Sequence, residues 1–375
     1  MKITKVEAIP LRIPDLDWTR ADGIQDDVIV RIDTDAGITG VGEADSSPAV
    51  VKALVDAPES WMRSRGLAGM LVGEDPLHTE RLWDKMYQGT LWMGRGGVTI
   101  QAISAVDIAL WDIKGKALGL PVHTLLGGAR RDTIPVYASM LFEQDLGLMR
   151  ARARRHIVEG YRAVKFGWGP MGPDLATDVA LVRAARDAIG PDAALLVDAG
   201  APWTAREAIR RVDAFREFSP YWLEEALASD DLAGWARLTA AAGGAMRIAT
   251  GEQETLAGAF RELLEVGHVD VIQPDLARAG GFTQCRRIAD HAAQHHAWCV
   301  PHAWKSGILV AATLHFAATL PEIPFVEYTV AESPLRRDLV RTDVQVAGGV
   351  VRIPQTPGLG VELNDEVVAR YRTDR

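Results

Sequence analysis

Three carboxylates in the middle of the chain stand where a metal site could form. Asp198, Glu224 and Glu252 each close a short apolar run, with spacings of 26 and 28 residues (198 to 224, 224 to 252). The runs alternate with helical stretches, which predicts neighbouring parallel strands whose carboxyl ends share one rim. Three ionised carboxylates repel one another unless a cation lies between them. Because this carboxylate triplet offers only hard oxygen ligands, we expect Mg²⁺ rather than zinc.

The same alternation of strand and helix extends from Thr133 to Val330. Eight apolar runs at roughly 25- to 30-residue spacing are typical of a TIM-type (β/α) barrel. Catalytic side chains of such barrels lie at the carboxyl ends of the strands. Those ends carry Ser139, Lys165, Asp198, Glu224, Glu252, Asp275, His302 and Glu327. Packing alone would not place so many polar residues at equivalent positions, so we interpret this rim as a site. Glu225 should point away from it, because strand side chains alternate.

Two rim residues could transfer protons. Lys165 beside a divalent cation would have its ammonium form destabilised, and the lowered pKa suits a general base. Asp275 and His302 end adjacent strands, where a hydrogen bond would orient the imidazole and stabilise its charged form. Glu327 could hold a proton or orient a substrate oxygen. Structural alternatives stay open, since Lys165 could simply neutralise the carboxylates and Asp275 and His302 could form a structural polar pair.

The chain divides into three segments. Residues 1–125 form an α+β unit, with a hairpin signal inside residues 28–44 and a long apolar helix at residues 99–119 closed by glycine. Residues 126–335 form the barrel. Residues 336–375 indicate short strands and turns that return to the N-terminal unit.

Composition restricts the class of protein. The 375 residues carry a formal charge of −9, which argues against binding to nucleic acid or to an anionic membrane. No apolar run reaches the roughly 18 residues that span a bilayer, and the N-terminus lacks the apolar core of a signal peptide. The two cysteines, Cys285 and Cys299, should be buried free thiols. We therefore expect a cytoplasmic protein. Separately from composition, we expect a homo-oligomer that acts on a small molecule.

The chain resembles the enolase superfamily, specifically its mandelate racemase subgroup. The resemblance covers essentially the whole chain and is carried by QAISAVDIALWDIKGKALGLPVHTLLGG (101–128) and by VDAG, WLEEA, ATGE, IQPDLARAGG, VPHAW and FVEY. It implies a modified, (β/α)7β-like TIM barrel with an N-terminal α+β capping domain. The loop at residues 14–26 of that domain would then close over the substrate.

The resemblance also implies a site. Mg²⁺ would bind the carboxylate triplet, and the substrate carboxylate would bind the metal. Lys165, or His302 paired with Asp275, would take the proton α to that carboxylate. Members with a lysine pair have a second lysine where this chain has Ala163, and Gly200 stands where asparagine is common.

Dehydration of a sugar acid is the predicted reaction. One group takes the α-proton and the other expels a β-hydroxyl as water, which leaves a 2-keto-3-deoxy acid. The favoured assignment has Lys165 as base and His302 as acid, and the reverse stays open. We expect an aldonate or aldarate of five or six carbons. Its contacts would include Trp18, Arg20, Ser139, Trp168 and Trp304. The same parts would serve a racemase or epimerase of an α-hydroxy acid, and an inert sugar-acid-binding protein is the alternative from another class.

Overall fold

The computed structural model describes residues 1–17, 23–60, 64–342 and 344–374. Within these ranges, no helix is both long enough and apolar enough to cross a membrane. Trp18 and Arg20, two of the predicted substrate contacts, lie outside the described residues.

The N-terminal unit packs an antiparallel sheet against helices. The sheet has the order β1 (Ile3–Arg12), β2 (Asp26–Thr34) and β3 (Thr39–Ala44). The helices are α1 (Pro48–Asp56), α2 (Leu67–Leu71), α3 (Thr79–Thr90), α4 (Val98–Leu118) and α5 (Val122–Leu125). The predicted hairpin joins β2 and β3, and its turn contains Gly37 at a φ of +73°.

Helix α4 is buried on almost every side, which explains why its sequence is apolar throughout. It packs directly on β3. The two elements are so close at Gly42 that an added Cβ would clash with the carbonyl of Ala105. It ends at Gly119, whose φ of +68° lets the helix stop in the left-handed conformation. The sequence predicts this end.

The barrel contains eight parallel strands. They are β4 (Thr133–Leu141), β5 (Ala163–Gly167), β6 (Ala194–Asp198), β7 (Trp222–Glu224), β8 (Arg247–Thr250), β9 (Val271–Ile272), β10 (Trp298–Cys299) and β11 (Val326–Thr329). Neighbours in sequence pair from β4 through to β10, and β11 pairs with β4 on its other side. The TIM-type barrel with a capping domain is therefore confirmed.

Each of the first seven barrel strands precedes an outer helix. These helices are α6 (Leu146–Val158), α7 (Leu175–Ile189), α8 (Ala205–Phe215), α9 (Leu232–Ala242), α10 (Leu256–Glu265), α11 (Gly281–Gln294) and α12 (Gly307–Ala317). The eighth strand is followed by the short, four-residue α13 (Pro334–Arg337). This is the (β/α)7β arrangement.

Strands β9 and β10 are much shorter than the predicted runs at residues 268–275 and 297–304. Proline ends the ladder in both places, since Pro274 and Pro301 have no N–H to donate. Pairing still extends one residue beyond each strand. The N–H of Gln273 donates to the Thr250 carbonyl at 3.0 Å, and that of Val300 donates to Ile272 at 2.9 Å.

The C-terminal segment contacts both units. It contains β12 (Val340–Thr342), β13 (Val346–Ala347), β14 (Val350–Arg352), β15 (Val361–Leu363) and α14 (Asp365–Tyr371). Strand β14 pairs antiparallel with the start of β4. Arg372 donates to Glu7 of β1 at 2.8 Å, which ties the chain end to the N-terminal sheet.

Candidate active site

The carboxylate triplet lies at the carboxyl ends of three adjacent strands. Asp198 and Glu224 are the last residues of β6 and β7, and they are paired in register. Glu252 lies two residues beyond β8. One carboxylate oxygen of each lies within 4.8 Å of the other two, and all three side chains are buried. The parallel sheet therefore brings together residues that are far apart in sequence.

The electrostatics of the triplet favour a bound cation. Burial and the nearby Glu224 charge raise the pKa of Asp198 well above its ordinary value, and burial also raises the pKa of Glu224. Oε2 of Glu252 is buried and accepts no hydrogen bond from the described residues. A cation between the three would relieve the repulsion and use that oxygen. The oxygen-only donor set suits Mg²⁺.

Lys165 on β5 lies against the triplet. Its Nζ is 2.5 Å from Glu224 Oε1, 2.9 Å from Glu327 Oε1 and 3.9 Å from Asp198 Oδ2. Burial alone lowers the pKa of Lys165, but the charges of Glu224 and Glu327 outweigh it and raise the pKa well above its ordinary value. Without a cation, the surrounding carboxylates therefore favour the ammonium form. The lowering expected beside a bound divalent cation stays a prediction. A cation on the triplet would weaken their attraction for the proton.

His302 and Asp275 form the predicted pair. The imidazole Nδ1 lies 2.6 Å from Asp275 Oδ2, and Nε2 lies 3.4 Å from Glu252 Oε2. Burial lowers the pKa of His302, but the charges of Glu252 and Glu327 and the bond to Asp275 raise it to about 10. These neighbours favour the charged imidazole, which can donate a proton.

Glu327 of β11 connects the two proton-transfer groups. Its Oε1 accepts from Lys165 and from Ser139 Oγ at 2.7 Å, and its Oε2 accepts from the N–H of Ala303 at 2.7 Å. Burial raises the pKa of Glu327, but the charges of Lys165 and His302 overcome this and lower it to about 2. A carboxylate that is ionised at neutral pH suits the predicted role of orienting a substrate oxygen better than the other predicted role, holding a proton.

A cavity of about 160 Å³ opens in front of these groups. Ser139, Trp168 and Trp304, three of the predicted substrate contacts, line it. Trp168 has a φ of +55°, and its indole covers Gly200, where an added Cβ would lie 2.9 Å from the ring. This contact gives a physical reason for the glycine at that position.

Sequence reasoning missed a charged pair in the cavity wall. Arg278 donates to Asp45 of the N-terminal unit at 2.5 Å and to the carbonyl of Glu252 at 3.0 Å. Lys305 lies 3.5 Å from the other oxygen of Asp45. The pair is separated by 233 residues, so no local pattern could reveal it. Arg278 does lie three residues after Asp275 in a motif already singled out, and this was the available signal.

Strained backbone follows three consecutive barrel strands. Trp168, Ala201 and Glu225 have φ values of +55°, +61° and +45°, after β5, β6 and β7 respectively. Non-glycine residues in this conformation concentrate at functional sites. Glu225 is not part of the triplet. One of its carboxylate oxygens accepts from Thr250 Oγ1 and from the N–H of Gly251, at 2.8 and 2.7 Å.

Family comparisons account for both structural units. The N-terminal domain model of the mandelate racemase / muconate lactonizing enzyme family matches residues 10–127. The model described as enolase C-terminal domain-like matches residues 148–367, which include every residue of the triplet.

Known proteins resemble the chain along most of its length. D-galactarolactone cycloisomerase of Agrobacterium fabrum is 34% identical, over 92% of this chain and 91% of its own. L-rhamnonate dehydratase of Saccharopolyspora erythraea is 32% identical, over 92% of this chain and 85% of its own. A solved racemase from Streptomyces coelicolor A3(2), with bound magnesium, superposes with a TM-score of 0.87 at 31% identity and covers 99% of this chain and 100% of that one.

Proposed function

The chain belongs to the enolase superfamily, in its mandelate racemase subgroup, and we propose that it is a Mg²⁺-dependent dehydratase of a sugar acid. Its relatives include sugar-acid dehydratases and cycloisomerases. This similarity supports an enzyme that acts on sugar acids. The observation that carries the proposal is the placement of Lys165 and His302. Their side chains line the same cavity as Asp198 and Glu252. Lys165 contacts the Glu224 end of the triplet at 2.5 Å, and His302 Nε2 lies 3.4 Å from Glu252.

Asp198, Glu224 and Glu252 would hold the metal. When bound, Mg²⁺ withdraws electron density from the substrate carboxylate and makes the α-proton more acidic. Changing Glu224 or Glu252 to glutamine should abolish Mg²⁺ binding and turnover while the barrel stays folded. Near-normal activity of either variant in Mg²⁺ would show that the metal assignment is wrong.

Lys165 and His302 divide the proton transfers. Lys165, as the neutral amine, takes the proton from C2, next to the carboxylate. His302, held charged by Asp275 at 2.6 Å, gives its proton to the departing hydroxyl at C3. The C3–O bond breaks as the C2–C3 double bond forms, and the resulting enol becomes the 2-keto-3-deoxy acid. The configuration at C2 decides which face is deprotonated, so the opposite assignment is the alternative.

Glu327 and Ser139 position the base. Oε1 of Glu327 lies 2.9 Å from Nζ of Lys165, and Ser139 Oγ donates to the same carboxylate oxygen at 2.7 Å. The substrate would bind the metal through its own carboxylate. A neutral sugar lacks that group. We therefore propose an aldonate or aldarate of five or six carbons as the substrate.

Ring opening is a second candidate. It is favoured by the 34% identity to a cycloisomerase over 92% of this chain. The same proton abstraction expels a ring oxygen instead of a free hydroxyl, so the product keeps the mass of the substrate. Mass spectrometry separates the two reactions, since dehydration removes one water. Racemisation by the same pair of groups would leave the mass unchanged and produce no 2-keto acid.

A substrate panel tests the proposal. Mono- and diacid sugars and their lactones are incubated with the protein and Mg²⁺, and 2-keto acids are detected with semicarbazide. We expect turnover of at least one acid, and no turnover with EDTA or with the Glu252→Gln variant. Loss of optical rotation without a 2-keto product would indicate a racemase. Turnover of an aldose but of no sugar acid would contradict the proposal. The homo-oligomeric state and cytoplasmic location stay predictions.

A further inference from the structure

Trp222 lies directly behind one of the metal ligands. It precedes Glu224 by two residues on β7, so both side chains lie on the same face of the strand. Its side chain is completely buried. The indole Nε1–H donates to Glu224 Oε2 at 2.8 Å.

The Glu224 carboxylate is therefore held at both oxygens. Lys165 donates to Oε1 at 2.5 Å, and Trp222 donates to Oε2. A carboxylate oxygen can accept two hydrogen bonds, so each oxygen keeps capacity for a cation. The two donors differ in charge. Lys165 competes electrostatically with a cation, whereas the neutral indole orients the carboxylate without that competition.

The indole ring has little freedom to turn away. Tyr137 packs edge-on against it, with ring centroids 5.6 Å apart and an interplanar angle of 84°. The Tyr221 ring lies on another side, with its centroid 5.8 Å from that of the indole. The backbone of Trp222 pairs with Leu196 and Arg247 on the neighbouring strands. Buried indole N–H groups usually have an acceptor, and for Trp222 this acceptor is Glu224.

We propose that Trp222 is a positioning residue for metal binding, which holds Glu224 in its ligand orientation through the indole N–H. The inference rests on the proposed Mg²⁺ site. Groups that hydrogen-bond to metal ligands fix their orientation, and removal of such a group typically weakens metal affinity by about 10–100-fold. Trp222 needs no contact with the substrate to have this effect.

Mg²⁺ titration of the metal-free protein by calorimetry, without substrate, tests the inference. Trp222→Phe keeps an aromatic ring and deletes the N–H, and we expect the Kd for Mg²⁺ to rise by about 10–100-fold. Trp235→Phe is the matched control. Trp235 is also completely buried, but it lies on α9 and its N–H has no acceptor among the described residues. The Trp235→Phe variant should bind Mg²⁺ with the same Kd as the wild type.

Folding is measured separately, as the melting temperature of each metal-free variant. A folded Trp222→Phe variant whose Kd stays within twofold of the wild type would overturn the inference. If that variant does not fold, Trp222 is replaced by benzothienylalanine, which keeps the bicyclic ring and exchanges N–H for sulfur, and the same two outcomes apply. Failure of the wild type to bind Mg²⁺ would instead overturn the proposed function, and this inference with it.

Discussion

Replacing Glu327 with glutamine removes one charge from the centre of the site and keeps the shape of the side chain. Oε1 accepts from Ser139 at 2.7 Å and Lys165 at 2.9 Å, and Oε2 accepts from the N–H of Ala303 at 2.7 Å. Both carboxylate oxygens already accept hydrogen bonds. The amide NH₂ of glutamine would therefore face another hydrogen-bond donor in either orientation. The variant therefore loses an ion pair and gains a repulsive contact.

The magnitude follows from the pKa of Glu327. Burial raises that pKa, but Lys165 and His302 lower it from 4.5 to about 2. The difference corresponds to about 3 kcal/mol of folding free energy, and breaking a buried ion pair typically costs about 3–5 kcal/mol. We expect Glu327→Gln to lower the free energy of unfolding by about 3 kcal/mol at pH 7. Because the folded pKa lies below the unfolded one, this contribution is complete above pH 4.5 and is lost as the pH falls toward 2.

Guanidinium unfolding of the metal-free protein measures the effect. Ser139→Ala is the control, because it deletes one hydrogen bond from an uncharged donor to the same carboxylate and should cost about 1.5 kcal/mol. The cost of Glu327→Gln should be constant between pH 6 and 8 and should decrease below pH 4.5. The reasoning is refuted if Glu327→Gln costs no more than Ser139→Ala, or if its cost increases as the pH falls.

Two further substitutions test the electrostatics elsewhere. Asp275→Asn should lower the pKa of His302 from its raised value near 10, and should reduce kcat by about 10²–10⁴-fold. If His302 is the acid, the alkaline limb of the pH–rate profile should move to lower pH; an unmoved limb would contradict that role. Burial lowers the pKa of His315 from 6.5 to about 3, which keeps the imidazole neutral. The free energy of unfolding of the protein should therefore decrease below pH 6.5, by about 2 kcal/mol at pH 5. His315→Gln should remove that acid-dependent loss in unfolding curves, whereas unchanged acid sensitivity would contradict it.

The repeating architecture explains why so much of the site could be predicted. In a parallel barrel, one strand end per repeat contributes to one rim, so the register of Asp198, Glu224 and Glu252 could be read from the ends of apolar runs. The same rule places Lys165 and His302 in the cavity wall. The spacing of strand ends along the chain is sufficient to predict which residues lie on the rim, because each repeat positions its strand in the same way.

Interactions between the two units could not be predicted in this way. The Arg278–Asp45 ion pair joins residues 233 positions apart, and its geometry depends on how the N-terminal unit packs on the barrel. The raised pKa of Lys165 also needs coordinates, since it follows from distances of 2.5 and 2.9 Å to Glu224 and Glu327. Residue types alone show which groups can titrate, but not which charges lie beside them.

Removal of the α-proton is tested most directly by hydrogen exchange in D₂O under single-turnover conditions, with a substrate from the panel and Mg²⁺. We expect the wild type to exchange the α-proton and to form the 2-keto-3-deoxy acid, and EDTA to abolish both. His302→Asn should still exchange the proton but fail to expel water, and Lys165→Ala should do neither. Exchange that survives in Lys165→Ala and is lost in His302→Asn would reverse the two roles. Exchange that persists in EDTA, or in both variants, would contradict metal-dependent proton abstraction by this site.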